Sequence, residues 1–190
     1  MNNFSIDLKT TALVLIDLQK GVVVRPMAPR SGQDVVKNAA RLADAFRNHA
    51  SLVVLVHVEY RDVKERVNVA VDTPFPSGAA LSPDWAEFVP EIGPKQGDIT
   101  ITKHQWGAFY GTDLELQLRR REIKTLVLGG ISTNFGVEST ARCANELGFE
   151  QIFVEDAMAS FSVEAHQFAI GNIFPRIGRV RLAEDILQSL

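Results

Sequence analysis

Three places in this sequence could do chemistry together. Asp17 follows one apolar run, Lys103 follows a second, and the stretch from Gly130 to Gly136 follows a third. An aspartate can give or take a proton. A lysine ammonium beside it can hold it ionised or stabilise negative charge. The third stretch lies within Thr125-Leu-Val-Leu-Gly-Gly-Ile-Ser-Thr-Asn-Phe-Gly136-Val-Glu-Ser-Thr-Ala-Arg142. It reads as a buried strand, a glycine-marked turn and a helix start, a junction whose backbone N–H groups can hold an anion or a developing oxyanion. Gly136 occupies the spot where a nucleophile would be well placed, and glycine has no side chain to attack with.

Taken singly these residues are weak signals, because aspartates after strands often shape turns and most lysines are solvated. Their force comes from proximity. The remaining reactive types fall away. His49, His57, His104 and His166 form no ligand spacing with one another or with Asp or Cys, so no metal is expected, and His57 reads as structural. Cys143, the single cysteine, lies about 10 Å along the helix that starts near Gly136 and reads as an inert packing thiol. The G-x-G-x-x-G dinucleotide fingerprint is absent, and no cofactor is expected.

The elements that must position these residues alternate. Apolar runs at 12–16, 52–58, 99–102, 125–128, 151–154 and 178–182 read as strands covered on both faces. Helical patterns occupy 34–49, 113–121, 136–147, 164–173 (stopping before Pro175) and 183–190, with Gly148 as a C′ glycine after the third. Alternation predicts a parallel sheet with helices on both faces, within one domain spanning 1–190. Ligands then bind beyond the carboxyl ends of the strands, the edge that Asp17, Lys103 and Gly136 share. Residues 21–32 and 71–97 break the rhythm. The second carries five prolines and at most a short helix at 84–88, and reads as a lid or subunit contact.

Hydrophobic content of 46%, charged content of 23% and a net charge of −3 fit a soluble globular protein. They offer no general attraction to nucleic acid or anionic membrane. The start of the chain lacks a signal-peptide pattern and no run could span a bilayer, so a cytoplasmic location is expected.

Three segments carry a resemblance: Thr11-Ala-Leu-Val-Leu-Ile-Asp17, Lys103-His-Gln-Trp-Gly-Ala-Phe-Tyr-Gly-Thr-Asp, and Gly130-Ile-Ser-Thr-Asn-Phe-Gly136-Val-Glu-Ser-Thr-Ala-Arg142. In order and over nearly the whole chain they resemble the isochorismatase-like hydrolases, the superfamily of nicotinamidases, carbamoylsarcosine amidases and isochorismatases. The chain looks closest to an uncharacterised bacterial branch. The resemblance implies a Rossmann-like three-layer α/β/α sandwich with a six-stranded parallel sheet, assembled as a homo-oligomer, a dimer or larger. It implies that Asp17 and Lys103 are two members of an Asp-Lys-Cys triad whose cysteine position is Gly136. It also implies a cis peptide at Ile131–Ser132 that aims the N–H groups of Ser132 and Gly136 at one point. The metal-binding pattern of nicotinamidases is missing from His57-Val-Glu59-Tyr-Arg-Asp62.

Without a sulfur, covalent acyl-enzyme chemistry is closed. Isochorismatases also lack the cysteine and hydrolyse a vinyl ether by protonation and water addition. In that reading Asp17 is the acid, and desolvation by the substrate must raise its pKa against the lowering effect of Lys103. Two alternatives stay open: Asp17 activating water against an amide or imide, and a catalytically silent small-molecule-binding oligomer. Trp106, Phe109 and Tyr110 are candidates for an aromatic wall, Asn134 and Phe135 for ligand contacts, and Arg25, Arg30 or Arg61 for a substrate carboxylate.

Overall fold

Runs dominated by Val, Ile and Leu have little to offer water, and here the six expected runs become strands of one parallel sheet. The computed structural model describes residues 5–73 and 82–190. The strands are β1 (Thr11–Ile16), β2 (Leu52–Val58), β3 (Ile99–Lys103), β4 (Thr125–Ile131), β5 (Glu150–Ala159) and β6 (Arg179–Arg181), in the order β3-β2-β1-β4-β5-β6. The order reverses between β1 and β4, and in open sheets of this kind ligands bind beyond the carboxyl ends at such a switch point. Alternate residues of β1 feed two cores. Leu13 and Leu15 pack with α1 (Lys20–Val23), α2 (Gly32–Asn48) and α7 (Ala183–Leu187). Ala12, Val14 and Ile16 pack with α3 (Leu114–Arg120), α4 (Glu138–Glu146) and α6 (Phe174–Ile177). This is the expected three-layer α/β/α sandwich.

The helices begin and end where local chemistry tells them to. Ser31 accepts from the Asp34 N–H and Asp34 reaches back to the Ser31 N–H, a capping box that opens α2 two residues before the expected start. Its stripe Val35, Ala39, Leu42, Ala43 and Phe46 is fully buried. The helix after β4 ends at Gly148, whose φ of +78° marks the C′ position.

Four expectations need correction. β4 runs on to Ile131, because Gly129 and Gly130 are strand residues and not a turn. At Gly130, φ is +123° and a Cβ would lie 2.1 Å from the Ile16 carbonyl oxygen, so only glycine lets β4 press against the end of β1. β5 runs on to Ala159 through Glu155 and Asp156, whose charges read as a stop. The ladder shifts register between Leu128 and Gly130 opposite them. Asp156 is occupied by the Asn38 amide and the Ala183 N–H. The helical segment after Ser162 does not stop before Pro175. α5 (Val163–Phe168) passes through a π-helical turn (Ala169–Ile173) into α6, where Pro175 sits in the first turn and needs no N–H. Residues 84–88 form turns, with Glu87 N donating to Asp84 O, in place of the short helix. Part of the 71–97 segment, 74–81, lies outside the described residues. Among the described residues no helix is long and apolar enough to cross a membrane.

Candidate active site

β1 ends at Ile16, and the next residue turns into left-handed backbone with a φ of +52°, a conformation that aspartate tolerates better than most side chains. The Asp17 N–H continues the ladder to the Val56 carbonyl at 2.8 Å. Gln19 clamps the same strand ends. Its buried amide donates to Val58 O and accepts from Val58 N at 2.9 and 2.8 Å. Lys103 is the last residue of β3, and β2 lies between β3 and β1, so roughly 9.5 Å separates their backbones. A long unbranched stem spans that gap. Lys103 Nζ reaches Asp17 Oδ2 at 2.8 Å and the Gln105 carbonyl at 3.1 Å.

The pair is dry. The side chains are 2% exposed for Lys103 and 11% for Asp17. Asp17 Oδ1 is buried with no hydrogen-bond partner among the described residues. A carboxylate accepting several hydrogen bonds would be held ionised, and this one accepts only from the ammonium. Burial therefore dominates and raises its pKa above the usual carboxylate value, against the lowering pull of Lys103 and, more weakly, His57.

Gly136 meets this carboxyl directly. A Cβ there would sit 3.2 Å from Asp17 Oδ2, 3.0 Å from Ile16 Cγ2 and 3.6 Å from the Trp106 carbonyl oxygen. Gly136 belongs to a π-helical turn, Thr133–Val137, that leads into α4. The Ile131–Ser132 peptide before it is cis. The Phe135 and Val137 amides both donate to Ser132 O, and the Ser132 N–H has no backbone acceptor among the described residues. Thr140 ties the turn to the lysine loop, donating to Gly136 O at 2.7 Å and accepting from Ala108 N at 3.1 Å. The turn, the carboxyl and the ammonium thus meet at one point.

The aromatic residues divide. Trp106 is half exposed and meets Phe135 edge-on at 4.9 Å, and Phe135 continues to Phe161 at 6.2 Å. Phe109 is a correction: it turns into the core and stacks on Phe149, so it lines no wall. The Tyr110 ring is 83% exposed, and its carbonyl is what the loop uses, accepting from Gln105 Nε2. Asn134 Oδ1 is committed to the Ser160 hydroxyl. Arg61 pairs with Glu65 at the surface, Arg25 donates to Gly21 O, and Arg30 donates to Glu155 O.

His57 engages both ring nitrogens, with Ala86 O at 2.9 Å and Thr102 Oγ1 at 2.8 Å. Cys143 is part-buried against the second core, and burial pushes its thiol pKa up. No group of three or more His, Cys, Asp or Glu side chains among the described residues is placed to hold a metal ion. Sequence reasoning missed Gln19, Tyr60, Thr140, Phe161 and His166. Thr140 lay within the motif at 130–142 and Tyr60 within the stretch at 57–62, and Gln19 followed Asp17 by two residues, whereas Phe161 and His166 lay in no segment singled out for chemistry. Tyr60 stacks on Trp85 at 6.0 Å beyond the end of β2 and carries the Arg66 guanidinium over its ring.

The Isochorismatase domain matches residues 11–185 of the chain. The uncharacterised isochorismatase family protein YwoC of Bacillus subtilis (strain 168) is 53% identical over 191 residues, covering 100% of this chain and 99% of its own. The structure of an isochorismatase family protein from Burkholderia thailandensis superposes with a TM-score of 0.92 at 48% identity, covering 98% of this chain and 97% of the other. A probable isochorismatase of Pseudomonas chlororaphis is 28% identical over 184 residues, 97% of this chain and 88% of its own.

Proposed function

Since this chain belongs to the isochorismatase family of hydrolases, we propose that it hydrolyses a small molecule without a protein nucleophile, with Asp17 as the proton donor. The sharpest form is vinyl ether hydrolysis of isochorismate or a related compound. The observation that carries it is a buried carboxyl with an unpartnered oxygen and a raised pKa, in contact with a glycine where a nucleophile would stand.

A pKa that burial raises suits a proton donor better than that of an ordinary solvated carboxylate. Asp17 delivers that proton to the terminal carbon of the enol ether. Water adds to the resulting oxocarbenium carbon and returns a proton to Asp17. The hemiketal then collapses to pyruvate and a dihydroxy-cyclohexadiene acid. Lys103, bonded to Oδ2, offsets the charge left on the carboxylate after the first transfer. The Trp106–Phe135–Phe161 wall offers a face for a cyclic substrate.

Purified protein supplied with isochorismate is expected to release pyruvate, and Asp17→Asn is expected to slow that release by roughly 10²–10⁴-fold. Ammonia from an amide or imide panel in place of pyruvate would move the reading to water activation by Asp17. Ligand stabilisation without any turnover would leave a binding protein. The reading includes a cytoplasmic homo-oligomer, and a monomer in sedimentation velocity would remove the second part.

A further inference from the structure

The turn that carries Gly136 is gripped from behind. Thr133 Oγ1 lies 2.8 Å from His166 Nδ1, and both residues are buried. Thr133 follows the cis peptide, while His166 sits on α5 beyond the end of β5. One residue further along the turn, Asn134 is tethered to the Ser160 hydroxyl. Ser160 is itself pinned, exchanging backbone hydrogen bonds with Ala28 at 2.7 and 2.8 Å. Two consecutive turn residues are therefore held by the β5–α5 connection.

The geometry points to His166 as a positioning residue for the candidate active site: through Thr133 it fixes the turn that presents the backbone beside Asp17. The inference rests on reading 132–136 as the oxyanion turn of the proposed hydrolase. His166 Nε2 is buried with no partner among the described residues, an unfavourable state that an aliphatic side chain filling the same space would avoid. The imidazole must then be accounted for by what Nδ1 does, and Nδ1 holds Thr133. Burial, helped by Arg30, lowers its pKa to about 4, so the ring stays neutral at neutral pH and keeps one donor and one acceptor.

The test compares Thr133→Val and His166→Leu, which remove the hydrogen bond, with Thr133→Ser and His166→Asn, which retain a polar group at the same place. Hydrogen exchange of the Phe135 and Val137 amides needs no substrate. It is expected to quicken about tenfold in the first pair and stay near wild type in the second, with β1 amides unchanged in all four. On whichever substrate is turned over, the first pair should lose about tenfold in kcat with KM within about twofold, and the double variant should be no worse than its poorer parent. Unchanged exchange in Thr133→Val, or kcat losses that multiply in the double variant, would overturn the inference. If wild type turns over nothing, the hydrolase reading falls and the exchange comparison still decides the positioning role. If His166→Leu does not fold, the Thr133→Val and Thr133→Ser pair decides it.

Discussion

Arg47–Asp98 and Lys103–Asp17 stand at opposite ends of one strand, since β3 starts just after Asp98 and ends at Lys103. Their burial is alike, with side chains 12% and 2% exposed in the first pair and 2% and 11% in the second. Their partners are not. Arg47 grips both Asp98 oxygens, through Nε at 3.1 Å and Nη2 at 2.7 Å, and the Lys95 N–H adds a third bond at 2.8 Å. Asp17 has one cation on one oxygen and nothing on the other. A saturated pair ties α2 to the sheet. The Asp17 pair leaves one carboxyl oxygen without a donor among the described residues. Depth of burial does not separate structure from chemistry here, and hydrogen-bond saturation does.

That contrast can be broken by experiment. Asp17→Asn should lower turnover by roughly 10²–10⁴-fold, while Asp98→Asn should leave kcat per folded molecule unchanged. Equal losses in steady-state assays would erase the distinction. Stability should run the other way. In urea denaturation at pH 7, Asp98→Ala should cost about 3–5 kcal/mol by stranding a buried guanidinium. Asp17→Asn should cost about 1 kcal/mol or less, because the amide oxygen still accepts from Lys103.

A third buried ionisable group sharpens the picture. Burial holds the folded His166 pKa at about 4, below its ordinary value of 6.5. Between those values the unfolded chain binds more protons than the folded one. Stability from this group is therefore intact above about pH 6.5 and falls as pH drops toward 4, by about 3 kcal/mol in all. Urea midpoints at pH 7 and pH 4.5 should differ more in wild type than in His166→Asn. A last comparison concerns Gly136→Cys. Its Cβ would meet Ile16 and Asp17 at 3.0 and 3.2 Å, so stability should drop by about 1–3 kcal/mol. The new sulfur, beside the Lys103 ammonium, should still alkylate faster than Cys143, whose pKa burial raises. Equal rates would mean that the crevice no longer supports a thiolate.

Much of this was legible in the sequence, and the gaps have physical causes. β1, β2, β4 and the first half of β5 were readable because strands buried on both faces are written in Val, Ile and Leu, whereas β3 and β6 alternate with Thr or Arg and are only part-buried. Asp17, Lys103 and Gly136 were readable because each follows such a run on the carboxyl edge. Glu155 and Asp156 hid the length of β5, since their partners Arg30, Asn38 and Ala183 are remote in sequence. Pro175 suggested a helix end because nothing in composition reveals a π-helical turn. Phe109 belongs to the same motif as Trp106, and only the fold shows that one turns inward and the other outward. His166 was invisible as part of the site because its link to Thr133 spans 33 residues.

The sheet order has a consequence for synthesis. The chain emerges β1, β2, β3, so Lys103 can find Asp17 while β4 is still unmade, and β1 then presents a bare edge where β4 will later lie. Such an edge invites pairing with another chain. The turn that carries Gly136 is thus synthesised after both members of the buried ion pair, and until β4 arrives β1 has no sheet neighbour on that side.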